Sequence, residues 1–181
     1  MTFSRYVSLC ALTLLLNGCD STPIINEAAA NQFQSLSKNQ QAAYWQAIRQ
    51  QNAIAELQQL GISVFTKGQE YTLDIPASLL FIDSTPMTAV KAQDTYQKIV
   101  KLTNIESTSR LSIETYSDTG DRQRDFALTL SWAQTVQSNL RDAGSSTAII
   151  NAVGKGSCQP NLTNKSPNAH IEIHYRIQQI D

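Results

Sequence analysis

Arg110-Leu-Ser-Ile-Glu-Thr-Tyr-Ser-Asp118-Thr-Gly120 and, after a short polar stretch, Asp125-Phe-Ala-Leu128-Thr-Leu-Ser-Trp132-Ala-Gln-Thr-Val136 decide the fold class, because the apolar period changes between them. Leu111 and Ile113 alternate with polar neighbours over 110–116, the period of a half-buried strand. Ser117–Arg124 reads as a polar loop. From Asp125 to Ala143, Phe126, Leu130, Ala133, Val136 and Leu140 recur at steps of four, three, three and four, a helical stripe that Gly144 ends. The stripe predicts Leu130 in the core and Leu128 off it.

Working outward, similar punctuation appears on both sides. Before this stretch, Thr85-Pro86 reads as a helix start, with the helix running to about Thr103 and facing Ala89, Ala92, Tyr96, Ile99 and Val100 inward. Gln69–Ile75 alternates Tyr71, Leu73 and Ile75 on one face and stops at Pro76, and Leu79-Leu80-Phe81 forms an apolar knot after it. Ile62–Thr66 reads as a short strand joined through a Lys67-Gly68 turn. A helix precedes it, with Ala43, Tyr44, Ala47, Ile48, Ile54, Leu57 and Leu60 at three- and four-residue steps and Gly61 at its end. After Gly144, Thr147–Val153 reads as a strand, Gly154 through Pro167 as a loop, and Ala169–Ile177 as a closing strand with Ile171, Ile173, Tyr175 and Ile177 on one face. The predicted class is α+β: a β-α-β-α-β-β sandwich, a mixed sheet with two helices on one face, preceded by a helix and a short hairpin.

The 181 residues are 41% hydrophobic and 16% charged, enough apolar content for one core and too short for several. With 14 basic against 15 acidic residues, no basic footprint for nucleic acid is present. Residues 1–18 read as a signal peptide: Arg5 is its only charge, and the apolar stretch Tyr6–Leu16 is shorter than the roughly 20 residues a spanning helix needs. Leu16-Asn17-Gly18-Cys19 resembles a bacterial lipobox, which implies diacylglyceryl and palmitate modification at Cys19. An ordinary secretory signal with a chance cysteine is the alternative. Lipid chains would anchor the protein without a transmembrane helix. Residues 19–39 read as a lipidated tether, 40–68 as helix plus short strand, and 69–181 as the main domain. Asp20, after the lipidated cysteine, resembles an inner-membrane retention signal, so either membrane stays open, with the periplasmic face of the outer membrane preferred. Cys158 is left without an intramolecular partner.

No catalytic constellation stands out, and the predicted role is not enzymatic. There is no Gly-x-Ser-x-Gly elbow, and Gly154-Lys-Gly-Ser157 is too short for a phosphate loop. Asp118, Asp121 and Asp125 cluster as a solvated loop and helix start would. His170, Glu172 and His174 share one face of the last strand, but at about 3.3 Å per residue the outer pair lies roughly 13 Å apart, too far for one ion. No metal site and no cofactor are predicted.

Taken together, Leu79–Asp83, Leu111–Gly120, Leu128–Val136, Val153–Gly156 and Asn168–Ile173 resemble, in order, an OmpA-like C-terminal domain. The resemblance covers residues 69–177. It implies binding of the peptide stem of peptidoglycan, with a loop aspartate pairing the ammonium of diaminopimelate and a helix arginine its carboxylate. The implied ligand residues fall on Asp118, Thr119, Asp125, Trp132 and Asn168. The expected asparagine reads Asp125, the expected arginine reads Trp132, and two arginines expected after Asn168 read Ala169 and His170. Half of the carboxylate clamp is thus missing, with Arg122 or Arg124 as possible substitutes and Trp132 able only to stack on sugar or a peptide carbon. Upstream, Glu56–Phe81 resembles the helix and hairpin of the small OmpA-like lipoprotein of type IVB (Dot/Icm) secretion machines, the DotK/IcmN family. That resemblance implies a scaffold subunit with secretion-core proteins as partners. A peptidoglycan-associated lipoprotein anchoring the envelope to the cell wall is the alternative.

Overall fold

The computed structural model describes residues 33–105, 108–157 and 169–177. Cys19, Cys158 and Asn168 lie outside the described residues. Chain proximity divides the protein after Gln41 into two units. In the first, Ser37 and Gln40 form a capping box: the Ser37 N–H donates to Gln40 Oε1 at 2.9 Å, and the Gln40 N–H to Ser37 Oγ at 3.3 Å. Helix α1 (Lys38–Gln59) starts at this box.

In the second unit, strands β1 (Ser63–Lys67) and β2 (Glu70–Pro76) form a hairpin, and a single turn, α2 (Ala77–Leu80), follows. Helix α3 (Ala92–Ile105), β3 (Arg110–Tyr116), α4 (Arg122–Asp142), β4 (Ile149–Gly156) and β5 (His170–Arg176) complete the order. The five strands form one sheet in the order β1-β2-β5-β3-β4. All neighbours are antiparallel except β3 and β4, which α4 connects in parallel. The predicted α+β class and mixed sheet are what forms. The last strand, however, inserts between β2 and β3.

One face of the sheet carries the core. Leu73 and Ile75 of β2, Leu111 and Ile113 of β3, Ile150 of β4, and Ile171, Ile173 and Tyr175 of β5 cluster with Tyr96, Ile99 and Leu102 of α3 and Trp132, Val136 and Leu140 of α4. Ala53 and Leu57 of α1 join the same cluster, so this helix contributes to the core rather than merely preceding it. Its earlier apolar residues do not follow: Tyr44 is exposed, and its ring meets Trp45 edge-on at 5.6 Å. Strand pleating sends alternate side chains to the opposite face, which is polar: Thr72, Ser112, Glu114, Glu172 and His174 are half-buried there.

Three sequence expectations change. Thr85-Pro86 does not start a helix; α3 begins at Ala92. The Thr85 hydroxyl donates to the Ile82 carbonyl and accepts from the Met87 N–H, while Phe81 and Thr88 pair as an isolated bridge. Threonine's local bonds here favour the turn that competes with a helix. Strand β4 runs on through Gly154 to Gly156, where a loop was predicted.

The third change concerns α4. It starts at Arg122, three residues before the predicted Asp125, with Asp121 as N-cap accepting from the Gln123 and Arg124 N–H groups. Its buried face in the first turns is Asp125, Leu128, Thr129 and Trp132. Leu128 is 9% exposed, whereas Leu130 is 38% and Phe126 57% exposed. Apolar periodicity misled because two of the inward positions are polar residues, Asp125 and Thr129, which hydrogen-bond inside the fold. Gly144 closes the helix as predicted, at φ +90, with its N–H on Arg141 O and the Ser145 N–H on Leu140 O. Leu128→Ala is therefore expected to cost about 2–5 kcal/mol and Leu130→Ala clearly less. Urea melts of the two variants check this; a larger loss at Leu130 than at Leu128 would return the helix to the face predicted from sequence.

Candidate functional site

Of the ligand residues implied by the OmpA-like resemblance, Asp118, Thr119 and Asp125 gather at the loop between β3 and α4. Strand β3 ends at Tyr116, and the Ser117 N–H donates to Gly156 O at 3.0 Å, which holds the loop's start against the end of β4. Thr129 ties the helix down: its hydroxyl donates to Asp125 O at 2.8 Å and accepts from the Gly156 N–H at 3.0 Å, while Thr115 Oγ1 donates to Thr129 O at 2.6 Å.

Asp125 organises the loop. It is 1% exposed, and one carboxylate oxygen accepts from the Thr119 N–H at 2.9 Å, the Thr119 hydroxyl at 2.8 Å and the Ser117 hydroxyl at 3.2 Å. Burial pushes its carboxyl up, but the Thr119 and Ser117 donors and the Arg124 charge outweigh that and hold it below its ordinary value. A negative charge in the first turn also suits the helix dipole. The structure thus brings Thr119 and Asp125 together and leaves Asp118 exposed on the loop they shape. Asp125 acts from beneath, as the loop's anchor.

The linkage sign follows from that depression. The unfolded carboxyl, near 3.8, takes a proton before the folded one. The stabilisation by Asp125 is therefore complete above about pH 4 and is lost as pH falls through the lower folded value. Asp125→Asn is expected to flatten the acid limb of a plot of urea midpoint against pH. Parallel acid limbs in the two proteins would show that the charge is not what holds the loop.

Trp132 is not at the surface. It is 1% exposed, its indole stacks on Phe81 with centroids 5.0 Å apart, and its Nε1–H donates to the Thr85 carbonyl at 2.6 Å. The side chain cannot stack on a ligand from there. Its bond instead pins the Ile82–Lys91 segment, on which Ile82, Met87 and Val90 are exposed.

Beside the loop lies a groove of about 520 Å³, lined by Arg122, Gln123 and Phe126 of α4 and by Lys155, Gly156 and Ser157 at the end of β4. It joins two cations and an aromatic ring. Arg122 was a sequence candidate. Lys155 and Phe126 were not, because one was read as loop and the other as core.

A second polar constellation occupies the polar sheet face. Glu172 Oε2 is 3.2 Å from His174 Nε2, and its other oxygen is 3.6 Å from His170 Nε2. These two imidazoles hold the Glu172 carboxyl down to about 2 against the upward push of burial. Glu114 accepts from the Tyr116 hydroxyl at 2.7 Å and lies 3.2 Å from Lys155 Nζ. The His170 ring stacks on Tyr116 at 4.6 Å.

No family model matches the chain, and no curated protein does. Solved structures share its fold. The periplasmic domain of Helicobacter pylori MotB superposes with a TM-score of 0.56 at 18% identity, over 66% of this chain and 81% of that one. The cell wall anchor of the T6SS from Pseudomonas aeruginosa gives 0.54 at 13%, over 72% and 98%. The OmpA-like domain of FopA1 from Francisella tularensis subsp. tularensis SCHU S4 gives 0.50 at 17%, over 66% and 83%. The fold is that of an OmpA-like domain.

Proposed function

We propose that this OmpA-like domain belongs to an envelope lipoprotein acting as a scaffold, with a degenerate peptidoglycan site and no catalytic role. The observation that carries this reading is Trp132. At the position where the resemblance implies an arginine for the diaminopimelate carboxylate, the chain has a tryptophan whose ring and N–H are both consumed inside the fold. What the tryptophan holds is a segment presenting Ile82, Met87 and Val90 to solvent, and apolar side chains gathered on one loop suit a protein partner. The lipobox-like junction at Cys19 supports tethering to a membrane. No helix among the described residues is long and apolar enough to cross one. The resemblance of Glu56–Phe81 to the DotK/IcmN family supports a secretion core as the setting.

A second reading, a cell wall anchor, is favoured by the groove lined by Arg122 and Lys155, whose charges suit a carboxylate, with Lys155 shared with Glu114. One of the structures sharing the fold is a cell wall anchor. Sedimentation of the lipidated chain with purified sacculi separates the two. Under the scaffold reading, wild type pellets weakly and Asp118→Ala pellets less. Tight pelleting that Arg122→Ala or Lys155→Ala abolishes would establish the anchor instead. Palmitate labelling lost in Cys19→Ser checks the tether, and equal labelling of both proteins removes the lipoprotein reading.

A further inference from the structure

We propose that Glu114, Glu172 and His174 form a divalent-cation site on the polar face of the sheet, suited to zinc. The three residues come from the two central strands. Glu114 of β3 is the direct cross-strand partner of Glu172 of β5, and His174 lies two residues along on the same face, opposite Ser112. One ligand atom from each of the three lies within 4.8 Å of the others, and all three side chains are half-buried. Ligand atoms around a tetrahedral zinc ion sit roughly 3.3 Å apart, given bonds of about 2.0–2.2 Å.

Two features favour an ion. First, two carboxylates face each other directly across a strand pair, an arrangement that repels unless a cation lies between them. Lys155 lies 3.2 Å from Glu114 and the two histidines reach Glu172, so the pair already has cationic neighbours with which a bound ion would compete. Second, the His174 ring is already oriented: its Nδ1 lies 3.0 Å from Thr72 Oγ1 on β2, and its Nε2 points at Glu172. A partner that fixes one ring nitrogen so that the other can take the ion is the support a metal-binding imidazole has. One nitrogen and two carboxylate oxygens are donors that zinc accepts, with a fourth position left for water. A groove of about 360 Å³, lined by Thr72, Ser112 and His174 together with Arg110 and Arg176, adjoins His174.

The arrangement eluded the sequence because the search for ligands ran along β5 alone. His170, Glu172 and His174 are too spread out to share one ion; the third ligand comes from the neighbouring strand.

The test titrates zinc chloride into the full-length chain in detergent, stripped with a chelator, by calorimetry. All proteins carry Cys158→Ser, so that this thiol cannot bind the metal. One zinc per chain is expected, with a higher melting temperature in its presence. Glu172→Gln and His174→Ala should each abolish saturable binding. Thr72→Val keeps every ligand and should weaken binding about tenfold by freeing the imidazole. Lys155→Met removes the competing cation and should tighten it. These last two variants keep the test decisive if the ligand variants fold poorly. Absence of saturable binding by wild type, or binding unchanged in His174→Ala and Thr72→Val, overturns the site.

Discussion

Gly154→Ala is expected to lower the stability of the domain by about 3 kcal/mol or more, at the upper end of what overpacking costs. Helix α4 crosses β4 at this residue with no room for a side chain. A Cβ built there would lie 2.3 Å from Leu130 N, 2.7 Å from Leu130 Cα and 2.7 Å from the Thr129 carbonyl carbon. Each of these is backbone, so no rotamer change relieves the overlap; the helix itself must lift. Lifting it would pull Thr129 away from Gly156 and Thr115, and with it the anchorage of the Ser117–Asp121 loop. Urea melts give the size of the loss, and an unchanged m-value shows that the variant still unfolds as one unit. A cost under about 1 kcal/mol would mean that α4 can slide on the sheet, and that the loop geometry is not rigidly held.

Trp132→Arg is the other large effect, and its sign is the reverse of what sequence resemblance implies. An arginine there would complete a carboxylate clamp, on the family pattern, and strengthen wall binding. In this fold the indole is buried against Phe81 and bonded to Thr85, so the substitution removes a large packed ring and leaves a guanidinium in the core without a counter-charge. Truncation of such a ring alone costs about 3–5 kcal/mol, and an unpaired buried charge adds to that. Thermal melts of Trp132→Arg and Trp132→Phe check the expectation. The phenylalanine variant keeps the stacking, loses only the bond to Thr85, and should be affected far less. An arginine variant with the wild-type melting temperature and stronger sacculus pelleting would show that the 82–91 segment opens readily, restoring the wall-anchor reading.

How much of this was legible beforehand differs from element to element. Strands β2, β3 and β5 were readable because each buries one face, and alternation such as Ile171, Ile173, Tyr175 has no other simple explanation. The end of α4 was readable because a glycine at positive φ is the cheapest way to stop a helix. Its beginning was not. Asp121, Asp125 and Thr129 are polar, and polarity alone does not tell a solvated loop from a buried hydrogen-bonded cap. The same ambiguity hid the core position of Leu128 and the extension of β4 through Gly154. At the candidate site, Asp118 and Thr119 were found through family pattern, and the loss of the arginine at 132 was visible at once. That the tryptophan is sealed inside was not visible, since an indole fits a core or a ligand platform equally well.

The amino-acid order by itself determined the α+β class, the alternation of strands with helices, and the helix stop at Gly144, because these depend on local periodicity and backbone preference. It also named the residues of the β3–α4 loop. Only the tertiary structure decided the place of β5 between β2 and β3, since pairing partners are chosen by long-range burial that no local pattern encodes. That choice sets Glu114 against Glu172 and His174, and it left the three unconnected in the sequence. The tertiary structure likewise decided which side of α4 faces inward, because hydrogen bonds to one Asp125 oxygen and to Thr129 let them take positions that apolar periodicity assigns to other residues.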